Sequence, residues 1–230
     1  KAGEGFKIRK QEVIRGKTVI GDQKGFTDVT EQVGIDFISH YNPDWFTPAW
    51  EPKTFGIIKY GAGGVSAADY DNDGWYDIFL ADGARSRLYH NNGDGTFTDA
   101  TQGAGLPTDM GAISVPTFAD FDNDGDKDLF LGSATVKNRL FRNNGDGTFT
   151  DVTEAAGVGD LPVLVTVAAV ADYDNDGDLD LYMGRYLDPR KNLPTTLFYT
   201  RNGEGNSLLR NDGNLRFTDV TAEAVVREGG

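Results

Sequence analysis

Short apolar runs alternate along the chain with polar segments rich in aspartate, asparagine and glycine. Three of these runs, residues 78–81, 129–132 and 181–184, are apolar at successive positions. A run of this kind is typical of a strand that is buried on both faces. Each is preceded, across one acidic segment, by another apolar stretch at residues 65–68, 115–119 or 165–171. The pattern therefore predicts three pairs of strands, each pair joined by an acidic loop.

A second repeated unit follows each of these pairs. Residues 87–99 and 139–151 match closely, and residues 209–219 are a looser copy. The Asn-Gly-Asp-Gly core supplies the positive φ angles of a tight hairpin, so each copy predicts two strands and a turn. Thr101 and Thr153 follow the Phe-Thr-Asp ends of two copies and are predicted to cap single helical turns.

One repeat is therefore strand, acidic loop, strand, strand, hairpin and strand. Four antiparallel strands in about 50 residues are the size of a β-propeller blade. We predict an all-β chain in which residues 25–224 form propeller repeats, between a basic arm or linker at residues 1–24 and a tail at residues 225–230. Three full blades are expected at residues 65–101, 115–153 and 165–221, with an extra outer strand at residues 26–30.

Three blades are too few for an ordinary closed propeller, which has four to eight. Three explanations stay open. The chain is a fragment of a larger propeller, residues 1–30 and 222–230 make a fourth sheet, or another chain completes the ring. The fragment is the favoured explanation.

Two segments interrupt the repeat period and are candidates for recognition. Residues 36–63 are rich in aromatic side chains, and residues 185–207 carry arginine and tyrosine. Insertions into repeats lie on loops and are often binding surfaces. The favoured interpretation is that the aromatic residues cover an end of the sheet stack. The alternative is a surface that binds a protein or carbohydrate ligand.

The acidity of the chain is concentrated in the three loops. The formal net charge is −14, and loop 1 (residues 69–77), loop 2 (residues 120–128) and loop 3 (residues 172–180) together contain 14 aspartates. Such a chain is a poor partner for nucleic acid. No apolar run is long enough to span a membrane. The chain has no cysteine, which excludes disulfides and thiolate catalysis.

The spacing within the loops predicts a cation site. Aspartate stands at positions 1, 3, 5 and 9 of each loop and glycine at position 6. This arrangement makes an oxygen cage for a hard cation, and calcium suits it better than magnesium because calcium accepts many oxygens in loose geometry. An EF-hand is excluded because position 12 is Leu80, Leu131 or Met183 instead of glutamate. An ordinary metal-free turn would carry several kcal/mol of carboxylate repulsion.

The motifs Phe-Thr-Asp-Val-Thr, Asp-Tyr-Asp-Asn-Asp-Gly and Asn-Asn-Gly-Asp-Gly-Thr-Phe resemble the FG-GAP/VCBS repeats of integrin-α-like propellers. The residues Gly34, Ile35, Asp36 and Phe37, with His40, are similar to the opening of the ASPIC/UnbV, cartilage-acidic-protein-like branch. The resemblance implies propellers with calcium in the loop between the first two strands of a blade. It also implies a secreted or surface-attached protein with a role in adhesion or ligand binding. Extracellular calcium modules have dissociation constants of about 10⁻⁴–10⁻³ M, which predicts a secreted, periplasmic or surface location.

The resemblance further implies a ligand set for three calcium ions, with one main-chain carbonyl at position 7 of each loop. The first set is Asp69, Asp71, Asp73, the Trp75 carbonyl and Asp77. The second set is Asp120, Asp122, Asp124, the Asp126 carbonyl and Asp128. The third set is Asp172, Asp174, Asp176, the Asp178 carbonyl and Asp180.

Residues suited to catalysis are scarce. Of the two histidines, His90 is expected on a strand surface, and His40 is expected to pack within the aromatic insertion. No nucleophile elbow, phosphate loop or zinc-protease motif occurs. The favoured function is a non-catalytic, calcium-stabilised module for binding, adhesion or scaffolding. The alternatives are a self-assembling subunit of an oligomer or filament, and a calcium-dependent enzyme acting on polysaccharide.

Overall fold

The computed structural model describes residues 26–38, 63–83, 85–134, 136–161, 164–185 and 205–224. Twelve strands in these ranges form three antiparallel sheets of four, and in every sheet the strands neighbour one another in chain order. The prediction of an all-β chain with three four-stranded blades is therefore confirmed.

The strand bounds give the three blades. Blade 1 consists of β1 (Gly64–Ala68), β2 (Asp77–Ala81), β3 (Arg87–Asn91) and β4 (Phe97–Asp99). Blade 2 consists of β5 (Ile113–Ala119), β6 (Asp128–Ser133), β7 (Arg139–Asn143) and β8 (Phe149–Asp151). Blade 3 consists of β9 (Val165–Ala171), β10 (Asp180–Arg185), β11 (Ser207–Asn211) and β12 (Phe217–Asp219). A single helical turn, α1 (Thr153–Ala156), follows β8.

The core lies between the blades. In β6 every residue is buried, and its successive side chains point to opposite faces of the sheet. Leu129 and Leu131 join Phe79 in the cluster between blades 1 and 2. Phe130 joins Leu181 in the cluster between blades 2 and 3. The prediction of burial on both faces is confirmed for β6, whereas β2 and β10, with a described sheet on only one side, are only partly buried.

The Phe-Thr-Asp ends of β4 and β8 lead into turns of the same kind. The hydrogen bonds at the start of these turns differ from the predicted caps. In α1 the N-cap residue is Val152, and no side chain caps it. The Asp151 carboxylate accepts from the N–H of Thr153, whose hydroxyl accepts from the N–H of Leu140 at 3.1 Å. Asp99 and Thr101 make the equivalent bonds in blade 1. The prediction that Thr101 and Thr153 cap helical turns is therefore wrong, because their hydroxyls bind the neighbouring strand.

The predicted outer strand at residues 26–30 is not formed, since no described strand lies beside these residues to pair with them. The turn that follows is nevertheless built like those after β4 and β8. The Val33 carbonyl accepts from the N–H of Phe97 at 2.7 Å, as the Ala104 carbonyl accepts from Phe149 in the next blade. Gly34 has φ 85°, and a Cβ there would lie 2.7 Å from the Phe97 oxygen. This segment therefore docks on blade 1 as blade 1 docks on blade 2.

Each blade has two distinct ends. The acidic loop joins the first two strands and the Asn-Gly hairpin joins the last two, so both lie at one end, which we call the metal rim. The chain enters β1 and leaves β10 at the other end, the opposite rim. Most of the insertions at 36–63 and 185–207 lies outside the described residues, as do the arm and the tail, so their predicted roles stay predictions.

Within the described part of the chain, no helix has the length and apolarity that crossing a membrane requires.

The first asparagine of the hairpin in blades 2 and 3 links its blade to the preceding one. The Asn143 amide donates to the Tyr70 carbonyl of blade 1 at 2.7 Å and to the Lys127 carbonyl of its own blade at 3.1 Å. The Asn211 amide donates to the Phe121 carbonyl of blade 2 at 2.7 Å. Both asparagines are buried. Sequence reasoning assigned them only to a turn.

We expect Asn143→Ala to destabilise the protein, because the buried Tyr70 carbonyl loses its donor at a cost of ~1–3 kcal/mol. Asn91→Ala is the matched control, since the Asn91 amide donates to Tyr76 within its own blade. Both variants lose the side-chain bond to the hairpin glycine. Urea unfolding measures the two free-energy losses. Equal losses would show that the bond between the blades contributes nothing.

Candidate metal centre

Each acidic loop folds around the carboxylate at its first position. Main-chain N–H groups at positions 5 and 6 donate to Asp69 at 3.1 and 2.9 Å, and to Asp172 at 3.1 and 3.0 Å. In loop 2 the N–H of position 6 donates to Asp120 at 3.1 Å. The position 6 glycines have φ between 94° and 99°, a region that residues with a side chain rarely adopt. Backbone geometry, as well as charge, therefore accounts for the positions of aspartate and glycine within each loop.

The aspartate at position 9 begins the second strand of each blade and is fully buried. Asp128 accepts one N–H from Phe121 in its loop and one from Asn143 on β7, both at 2.9 Å. Asp77 and Asp180 accept the equivalent pairs at 2.8 to 3.1 Å. Each carboxylate thus fixes the loop to the third strand, and its oxygens retain lone pairs for a cation.

The loops bring most of the predicted ligands together. Asp120, Asp122 and Asp128 place one oxygen each within 4.8 Å of one another, and loop 3 does the same with Asp172, Asp174 and Asp180. Loop 1 forms two overlapping groups, one of Asp69, Asp71 and Asp73, and one of Asp71, Asp77 and His90. Such oxygen sets fit a hard divalent cation.

Position 5 in loops 2 and 3 lies outside these groups. Asp124 and Asp176 each accept a hydrogen bond at 2.9 Å from the main-chain N–H of position 7. The assignment of these two residues as ligands stays a prediction.

At position 7 of loops 2 and 3 the side chain makes a hydrogen bond between blades, whereas the prediction concerned the main-chain carbonyl. Asp126 accepts from the amide of Asn72 at 2.5 Å, and Asp178 accepts from the amide of Asn123 at 2.7 Å. Both donors belong to the preceding blade, so the loops of adjacent blades are joined directly. The Trp75 indole lies against Gly93 of its hairpin. Coordination by the carbonyls of Trp75, Asp126 and Asp178 stays a prediction.

The electrostatics of the loops fit a bound cation. One oxygen each of Asp71 and Asp120 is buried without a hydrogen-bond partner. Burial, with a smaller contribution from the charges of Asp122 and Asp124, raises the pKa of the Asp128 carboxyl to about 7. Burial is likewise the main cause that raises the pKa of Asp122. A cation among these oxygens would favour their charged forms.

His90 makes contacts that the sequence-based expectation did not include. It lies on β3 but its ring faces loop 1, with Nδ1 3.1 Å from an oxygen of Asp71 and 3.3 Å from one of Asp77. The expectation of a strand-surface residue holds for its place on β3, where its side chain is 28% exposed, but the contacts with Asp71 and Asp77 were not foreseen.

A known family of repeats matches the part of the chain that contains the three acidic loops. Residues 69–131 and 120–183 match the family model of the FG-GAP-like repeat, and together these matches span half of the chain.

Three curated relatives are cartilage acidic protein 1 from different vertebrates. The human protein is 33% identical over 132 residues, which is 55% of this chain and 20% of the relative. The mouse protein is 32% identical over 132 residues with the same coverage. The Xenopus tropicalis protein is 30% identical over 144 residues, which is 60% of this chain and 22% of the relative. The chain spans about a fifth of the length of these proteins.

A solved structure that resembles the chain is an Agrocybe aegerita lectin that recognises non-reducing terminal N-acetylglucosamine. The TM-score is 0.41 at 23% sequence identity, over 69% of this chain and 37% of the lectin. On the repeat matches and the relatives together, the chain belongs to the FG-GAP repeat family, in its cartilage-acidic-protein-like branch.

Proposed function

We propose that this chain is a non-catalytic propeller module that three calcium ions stabilise and that binds, adheres or scaffolds outside the cell. The observation that carries the proposal is the convergence of carboxylate oxygens in all three loops, at least three within 4.8 Å in each. Two carboxylate charges ~4 Å apart repel by ~1 kcal/mol even in water, and by more near a protein. A divalent cation removes this repulsion at each loop.

Calcium is the ion that loops 2 and 3 favour. Their donors are all oxygens, the type of ligand that calcium prefers. Hydrogen bonds of 2.9 to 3.1 Å from the main chain hold the aspartates of these loops. The carboxylate oxygens are therefore already in position before an ion binds. Little ordering remains to oppose binding.

An extracellular, periplasmic or cell-surface location follows from the expected affinity. Calcium sites in extracellular modules have dissociation constants of about 10⁻⁴–10⁻³ M. Sites of that strength fill outside the cell and stay empty at cytosolic calcium levels. The secreted or surface location is therefore part of the same proposal.

A structural role for the aspartates is favoured over catalysis. Asp77, Asp128 and Asp180 are at most 1% exposed, and each gives both oxygens to main-chain N–H groups. A general acid or base must reach its substrate within hydrogen-bond distance. These carboxylates face the protein backbone and the loop interior.

Recognition is assigned to the opposite rim. The insertion at residues 185–207 leaves β10 and enters β11 at this rim, and the insertion at residues 36–63 ends there at the start of β1. Their aromatic and arginine residues are of the types enriched where proteins bind partners. A protein or carbohydrate ligand would then bind without contacting the metal ions.

The first test is thermal unfolding with calcium and with EDTA. Each site adds ~2.7 kcal/mol at a calcium concentration 100 times its dissociation constant, which for a chain of this size raises the midpoint by ~5–10 °C per site. Isothermal titration should give three calcium ions per chain. A midpoint that EDTA leaves unchanged would contradict the proposal.

The second test removes one loop. Asp122→Asn takes a carboxylate from the group in loop 2, so we expect two calcium ions per chain and a calcium-induced rise in midpoint that is smaller by about a third. Asp160→Asn is the control with the same change in charge, because Asp160 is exposed and pairs with Lys137 outside the loops. Three ions retained in both variants would rule out loop 2 as a calcium site.

A further inference from the structure

Loop 1 contains a nitrogen donor that the other two loops lack. His90 Nδ1 lies 3.1 Å from an oxygen of Asp71 and 3.3 Å from one of Asp77. At the equivalent strand positions of blades 2 and 3 stand Arg142 and Arg210, which turn away toward Asn144 and Asp212 of their hairpins. Loops 2 and 3 therefore present oxygen alone, and loop 1 presents oxygen and imidazole nitrogen.

The donor atoms of loop 1 converge without satisfying one another. His90 Nδ1 and Asp71 Oδ1 are both buried, and neither makes a hydrogen bond in the described structure. Two donors ~2.1 Å from one ion, at tetrahedral or octahedral angles, lie about 3.0–3.4 Å apart. His90 Nδ1 lies 3.1 Å from the other Asp71 oxygen, Oδ2, and 3.3 Å from Asp77 Oδ1, and both separations fall in this range.

The imidazole ring is held in place for this role. It packs edge-on against Tyr70, with the ring centres 6.4 Å apart, and Tyr70 stacks on Phe149 of the next blade at 5.7 Å. The second ring nitrogen, Nε2, faces an oxygen of Asp73 at 3.9 Å. The Tyr70 contact therefore holds the ring beside loop 1.

We propose that loop 1 is a mixed nitrogen–oxygen site that binds a transition-metal dication of the zinc type through His90 Nδ1, Asp71 and Asp77. Imidazole suits zinc and its neighbours, whereas calcium takes oxygen ligands. The inference rests on the proposed function in one respect, that the acidic loops are cation sites. Calcium fills loop 1 when no such ion is present, and loops 2 and 3 remain calcium sites.

The test is titration of zinc into the intact chain with millimolar calcium present to fill loops 2 and 3. We expect one zinc ion per chain. His90→Gln should weaken zinc binding more than ~10-fold, because loss of even an indirect partner of a metal ligand costs 10–100-fold. His40→Gln is the matched control, since His40 is the only other histidine, and it should leave zinc binding unchanged.

A second measurement identifies the ligand atom directly. Nitrogen NMR of the imidazole rings should show a zinc-dependent shift at Nδ1 of His90 and none at His40. The calcium-induced rise in melting midpoint shows that His90→Gln is folded and that its loops 2 and 3 are intact.

The outcomes separate the two proposals. Failure of zinc to bind beside calcium overturns the mixed site and leaves the calcium module standing. Zinc binding that is equal in His90→Gln and in the unaltered chain also overturns the mixed site and leaves the calcium module standing. One zinc ion that requires His90, in a chain whose stability does not respond to calcium, supports the mixed site and contradicts the calcium module.

Discussion

The buried aspartate at position 9 of each loop is the contact on which the blade depends. Asp128 joins three separated parts of its blade: the loop, the start of β6 and the end of β7. The same Asn143 that donates its N–H to Asp128 sends its amide to blade 1. Because one carboxylate and one asparagine are shared in this way, loop geometry, hairpin position and blade-to-blade contact are fixed together. A cation bound at the carboxylate would reinforce all three.

The sequence was sufficient for the strands and acidic loops, which depend on neighbours along the chain. The apolar run at residues 129–132 and the acidic segment before it were enough to predict β6 and loop 2, since strand periodicity and turn geometry are local properties. The same pattern occurs three times in the chain, and this repetition supported the prediction in each blade. The grouping of Asp120, Asp122 and Asp128 follows directly from their spacing.

Features that depend on contacts between blades could not be predicted in this way. Asn143 appears in the sequence as a turn residue, and only the placement of blade 1 shows that its amide reaches Tyr70. The contacts of His90 were not foreseen for the same reason, since the direction of its ring is set by Tyr70 and by the loop across the sheet. The segment at residues 26–30 has the sequence of an outer strand, but a strand forms only where another lies beside it.

The two ends of the blades are subject to different constraints on chain length. At the metal rim every acidic loop has nine residues, and links such as the one from Asn72 to Asp126 join the loops of adjacent blades. The opposite rim already accommodates connections as different as the one at residues 134–138 and the one at residues 186–206. New segments can therefore be gained or exchanged there while the acidic loops stay unchanged. For engineering, a peptide grafted into the 134–138 connection would be displayed far from the loops that hold the scaffold together.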